Sequence, residues 1–116
     1  MANNKVLSLL GIAQRGRNVA SGEFMTEKTV KEFSARLVIV AEDASFNTKK
    51  EFKDMCSFYE VPYVEYGTKE SLAHAIGKEV RASLSVTDDG IARKIQKLIN
   101  DEKSVADGAL RMEERK

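Results

Sequence analysis

Leu37-Val38-Ile39-Val40-Ala41 is an unbroken apolar run of strand length, rich in β-branched side chains. A strand that shows no polar face reads as buried on both sides, hence central in a sheet covered by helices. The rest of the chain has to supply those helices, and its hydrophobic periods do so. Val6, Leu9, Leu10 and Ala13 recur at helical spacing and predict a first helix that stops near Gly16. Asn18–Ser21 is a short candidate strand, and Gly22 opens a second helical stretch through Phe33. Glu23 sits in its first turn, where an acid suits the helix dipole.

Beyond the apolar run, Thr48 and Glu51 have the spacing of a capping box for a third helix, with Phe52, Met55, Cys56 and Tyr59 on its inner face. Pro62, the only proline, ends that helix and starts a strand to Tyr66. Gly67-Thr68 provides a turn and an N-cap for a fourth helix carrying Leu72, Ala73 and Ile76, which Gly77 closes. Val80, Ala82, Leu84 and Val86 alternate with Arg81, Ser83 and Ser85, a period of two that predicts the last strand. Asp88 and Asp89 cap a fifth helix with Ile91, Ile95 and Leu98 as its stripe. Helices and strands therefore alternate along the chain, which argues an α/β fold with a sheet between helix layers.

The 116 residues suffice for one domain, read as residues 1–100, and residues 101–116 read as a mobile tail or a frayed extension of the last helix. Lys+Arg number 19 and Asp+Glu 18, so a strongly basic chain is excluded while a local basic patch is not. The single cysteine excludes an internal disulfide and fits a reducing cytosol, and no apolar run has the length to span a bilayer. A cytoplasmic protein with no membrane partner is expected.

Catalytic and metal-binding patterns find little support. His74 has no partner at ligand spacing, and Cys56 lies on an apolar face with nothing to lower its pKa. Glu42-Asp43 follow the central strand, a place where ligands bind open sheets, but carboxylates there more commonly serve as caps. No phosphate-binding glycine loop or nucleophile elbow occurs. The chain reads as a non-enzyme with neither metal nor cofactor.

Binding is better supported. Residues 1–31 hold five bases (Lys5, Arg15, Arg17, Lys28 and Lys31) against Glu23 and Glu27, and Arg36 follows. The Gly22 helix start offers free amides to an anion. A second turn, Gly77-Lys78-Glu79-Val80-Arg81, leads into the last strand. If both turns emerge at one sheet edge, they form a rim suited to RNA backbone and bases.

The strings Leu9-Leu10-Gly11-Ile12-Ala13-Gln14-Arg15, Val19-Ala20-Ser21-Gly22-Glu23 and Leu37 through Ser45 resemble the kink-turn RNA-binding ribosomal-protein superfamily, of the archaeal large-subunit "seven Ae" and "thirty e" type. Val61-Pro62-Tyr63, Gly67 through Leu72 and Ala75-Ile76-Gly77-Lys78 continue the resemblance, most of all to the small bacterial paralogues called YlxQ-type proteins. It spans residues 4 to about 99.

The resemblance implies a three-layer α/β/α sandwich on a four-stranded mixed sheet, and an RNA site at the start of the second helix and the loop before the last strand. It implies that Gly22 approaches the RNA backbone, that Lys28 contacts a phosphate or a guanine edge, and that Lys78-Glu79-Val80, after Gly77, lies over unpaired bases. Arg15, Arg17, Lys31 and Arg36 are expected at phosphates, with Glu23 at a base edge. Phe24 and Met25 stand where the family pattern has Asn and Glu. They cannot repeat the polar contacts to tandem G·A pairs. Phe24 either stacks on a base or packs inward with Met25. The expected partners are ribosomal or other kink-turn RNA and ribosomal or other RNA-associated proteins. The alternative is a protein-interaction scaffold of the same fold that has lost kink-turn binding.

Overall fold

The computed structural model describes residues 4–114, with side-chain surroundings through residue 102. Its elements are α1 (Lys5–Arg15), β1 (Val19–Ser21), α2 (Glu23–Lys31), β2 (Leu37–Val40), α3 (Phe46–Tyr59), β3 (Tyr63–Glu65), α4 (Lys69–Ala75), β4 (Ser83–Val86) and α5 (Asp89–Glu114). One four-stranded sheet runs β1-β4-β2-β3. β2 pairs parallel with β3, and β4 pairs antiparallel with both β1 and β2. A parallel neighbour needs a crossover, which α3 supplies. Helices α2 and α3 cover one face, and α1, α4 and α5 pack together on the other. The fold is an α/β sandwich on a mixed sheet.

Leu37–Val40 and Ala41 are fully buried between these layers. Phe52 and Cys56 form the buried stripe of α3, while Met55 and Tyr59 are only partly covered. The capping of α3 differs from the expectation. Ser45, not Thr48, is the N-cap, and its hydroxyl accepts the Thr48 amide at 3.1 Å, so the helix starts a turn earlier. Asp43 Oδ1 accepts the Lys69 amide at 2.8 Å, so this carboxylate ties the β2–α3 loop to the start of α4.

β4 is shorter than the alternating pattern suggests, and both of its faces are buried. The face bearing Ser83 and Ser85 is covered by α2, whose Thr26 and Thr29 are also buried. Small polar residues let helix and strand approach closely, provided that their hydroxyls find partners. Thr29 Oγ1 and Ser85 Oγ share a hydrogen bond of 2.8 Å, and Thr29 also donates to the Thr26 carbonyl. Thr26 Oγ1 has no partner among the described residues. Thr26→Val should therefore raise the free energy of unfolding by about 1 kcal/mol, read by chemical denaturation, because it removes a buried hydroxyl that makes no bond. A loss of stability would show that the hydroxyl has an unseen partner.

α5 turns Ala92, Ile95 and Ile99 into the core, with Ile91 and Leu98 at the margin of that stripe. Its backbone continues to Glu114. The reading of residues 101–116 as a mobile tail falls largely outside the residues whose surroundings are described.

Candidate nucleic-acid interface

Strand register decides which loops meet. Ser21 pairs with Leu84, the Gly22 amide donates to Ser83 O at 2.9 Å, and Val40 pairs with both Ser83 and Glu65. The ends of β1, β2 and β3 and the start of β4 therefore share one sheet edge. The helices following these three strands begin there: α2 after Gly22, α3 after Ser45 and α4 after Thr68. The start of α1 joins them, because Asn4 Nδ2 donates to Tyr66 Oη at 3.0 Å. Four helix N-termini thus converge on one edge. Each end carries a partial positive charge; Asn4, Ser45 and Thr68 cap α1, α3 and α4, and Asp43 takes the Lys69 amide, so the start of α2, which has no side-chain cap, is the one most open to an anion.

Gly22 sits at φ 92°, ψ 161° as the residue before α2. Only glycine tolerates that region well. Arg81, to which the sequence assigns no role beyond ending the second turn, lies over it. Its Nε donates to Ser21 Oγ at 3.3 Å, and its Nη1 donates to the carbonyls of Glu79 and Val80 at 3.1 Å each. One guanidinium therefore ties the loop Gly77–Val80 to the β1–α2 turn. Gly77 at φ 68° makes the left-handed corner that starts this loop. Lys78, Glu79 and Val80 are all exposed, Val80 at 62%.

On α2, Phe24 is 75% exposed and Met25 43% exposed, so neither packs inward. Their outward aim follows from helical spacing, because Thr26, Thr29 and Val30 take the buried face. Phe24 lines a shallow groove with Glu27, Lys28, Lys31 and Glu32. Lys28 pairs with Glu32 at 3.5 Å and Lys31 with Glu27 at 2.7 Å. The Lys31 pKa is raised, chiefly by its hydrogen bond to Glu27. Glu23 faces Glu51 of α3, whose carboxyl is pushed up by partial desolvation and then by the Glu23 charge.

The other expected bases go elsewhere. Val19 pairs with Val86, Asn18 O accepts the Thr87 amide, and the Arg36 amide donates to Val86 O. Arg17 and Arg36 therefore flank the opposite sheet edge, away from Gly22. Arg15 lies in a groove between α1 and α4, beside Gly11, Ser71 and His74. Sequence proximity of Arg15 and Arg17 to Gly22 misleads here, because β1 carries the chain across the sheet between them.

The Cys56 thiol is buried, and burial pushes its pKa up to about 11, which keeps it protonated and unreactive. Among the described residues, no group of three or more His, Cys, Asp or Glu side chains has a metal-binding arrangement. No helix among them is long and apolar enough to cross a membrane.

The molecule is a small mixed-sheet α/β sandwich with helix N-termini and two glycine turns gathered at one edge. The chain belongs to the Ribosomal protein L7Ae/L30e/S12e/Gadd45 family, whose model matches residues 4–96. It is 41% identical over 100 residues to the RNA-binding protein YlxQ of Bacillus subtilis (strain 168), an alignment covering 86% of this chain and 100% of that one. The RNA-binding protein YlxQ of Enterococcus faecium is 39% identical over 95 residues, covering 82% of this chain and 91% of its own. A protein of unknown function from Bacillus halodurans C superposes with a TM-score of 0.82 at 40% identity, covering 84% of this chain and 99% of that one. The Giardia lamblia 15.5kD RNA binding protein shares the fold, with a TM-score of 0.72 at 22% identity over 90% of this chain and 92% of its own.

Proposed function

We propose that this chain is a non-catalytic, cytoplasmic, ribosome-related RNA-binding protein that recognises a kink-turn or a similarly bent structured RNA. The observation that carries this reading is the meeting of four helix N-termini with the Gly22 and Gly77–Val80 turns at one edge. Phosphates suit that edge because it offers backbone amides and dipole ends without demanding a strongly basic chain. The YlxQ relatives, RNA-binding by name and aligned over most of the chain, support the same partner class.

In this reading Gly22 lets a sugar-phosphate backbone come close, and Lys28 leaves Glu32 to meet a phosphate. Glu23 accepts hydrogen bonds from a base edge. Phe24 stacks on a base, and Val80 covers an unpaired one. Met25 adds apolar contact beside Phe24. Arg81 acts indirectly, by holding the two turns together. Arg15, Arg17 and Arg36 lie away from the Gly22 turn, while Lys31 lines the Phe24 groove, paired with Glu27.

The exposed Phe24 also fits the scaffold alternative, in which it anchors a protein. Its groove joins the exposed ring to the stems of Glu27, Lys28, Lys31 and Glu32, whose charged heads rim it. Titration at physiological salt with a kink-turn RNA, and with the same RNA after its two G·A pairs become Watson–Crick pairs, separates the two. Kink-turn recognition predicts binding at least tenfold tighter to the first, about one good base contact's worth of discrimination. It also predicts that affinity falls steeply as salt rises from about 50 to 200 mM. Weak and equal binding to both RNAs would favour the scaffold.

A further inference from the structure

The sheet edge opposite the Gly22 turn carries the largest exposed aromatic cluster among the described residues. Phe33 follows α2 and is 68% exposed; Phe58 in the last turn of α3 is 79% exposed. Both pack edge-on against Tyr59, with ring centroids 5.7 Å and 5.0 Å apart. Phe33 holds φ 63°, a conformation that disfavours a bulky side chain, and Glu60 beside the cluster holds φ 59°. Rings kept in water by a disfavoured backbone call for a partner.

Charge selects that partner. Above the rings, Glu23 and Glu27 of α2 face Glu51 of α3, with Lys31 as the base among them. Glu32 and Glu60 flank the rings, and the C-terminal dipole ends of α2 and α3 point the same way. Along α2 and α3 five carboxylates and two negative helix ends stand against Lys28 and Lys31, each already paired; Arg17 and Arg36 lie at the margin of the same edge, so the acidic part is the strip between the two helices. A phosphate backbone is repelled from such a surface, whereas lysine or arginine side chains are attracted.

We infer that Phe33, Phe58 and Tyr59, with the acidic strip Glu23, Glu27 and Glu51 above them, form a docking surface for a basic segment of another protein bearing an apolar anchor residue. The anchor lies against the exposed rings of Phe33 and Phe58, and flanking cations meet the carboxylates. The rings lie at the far ends of α2 and α3 from the proposed RNA edge, while the strip reaches that edge at Glu23, the one carboxylate the two surfaces share. The docking role stands whether or not the RNA is a kink-turn.

The test is an amide NMR titration of the full chain with a short synthetic peptide of repeating Leu-Lys-Lys units, beside a twin with glutamate in place of lysine. The lysine peptide should shift amides of residues 31–33 and 51–60 saturably, and the glutamate twin should leave them in place. Phe58→Ala should weaken binding about tenfold, as loss of a central aromatic anchor does. Phe58 is exposed, so this variant keeps its fold and its RNA affinity. Equal binding by variant and wild type, no shifts at millimolar peptide, or shifts confined to the Gly22 edge would overturn the proposal. Shifts of the same amides by oligouridine would assign the rings to nucleic acid instead. A dimer in sedimentation that Phe58→Ala dissolves would assign them to a second copy of this chain. Either result would overturn it too.

Discussion

Gly22→Ala should weaken kink-turn RNA binding by at least a hundredfold, the combined loss expected when two or more good contacts are displaced together. An added Cβ would stand 4.0 Å from Arg81 Cδ and Nε, an ordinary contact, so crowding is not the cause. The cause is the backbone at φ 92°, ψ 161°, where an L side chain costs of order 1–3 kcal/mol. Relieving that strain rotates the peptides on either side of Gly22, whose amide donates to Ser83 O and whose carbonyl accepts the Thr26 amide. The start of α2 then shifts, and with it Glu23, Phe24 and the amides aimed at the anion. Isothermal titration and thermal melting together read the result. A lowered melting point with unchanged RNA affinity would place the RNA somewhere other than this edge.

Phe52→Ala is the change expected to damage the fold most. Phe52 heads the fully buried side chains by volume and sits on the face of α3 that covers the sheet. Truncating a buried phenylalanine costs about 3–5 kcal/mol, the lost transfer energy plus the cavity left behind. Domains of this size are stable by only about 5–15 kcal/mol in total, so the variant should be close to unfolded at body temperature. Phe58→Ala, six positions along the same helix, is the matched control. Its ring is in water, and its melting point should stay within a few degrees of the parent. Equal destabilisation by the two would mean that α3 is rotated from the orientation described.

Phe52 and Cys56 were readable as an inner face because helical spacing separates them from Lys50, Lys53 and Asp54. The outward Phe46 and Phe58 break that rule, and nothing local marks them as exposed. The α5 stripe shows a milder version of the same problem. Ile91 and Ala92, or Leu98 and Ile99, are adjacent apolar pairs, and helical spacing alone cannot say which of each pair faces the core. The site divides in the same way. Gly22 and Gly77 announce themselves, because glycine at a helix boundary is a backbone signal. Arg81 does not, because its partner Ser21 is 60 positions away.

By itself, the amino-acid sequence determined the α/β alternation, the central position of Leu37–Val40 and the two glycine turns. All are local consequences of side-chain period, branching and backbone freedom. Only the tertiary structure decided that the serine face of β4 lies buried beneath Thr26 and Thr29, since a hydroxyl reads as solvent-facing until another hydroxyl is packed against it. It alone decided that four helix N-termini share one edge while Arg17 and Arg36 flank the other. Strand order and register set that separation, and both arise from pairings between residues far apart along the chain.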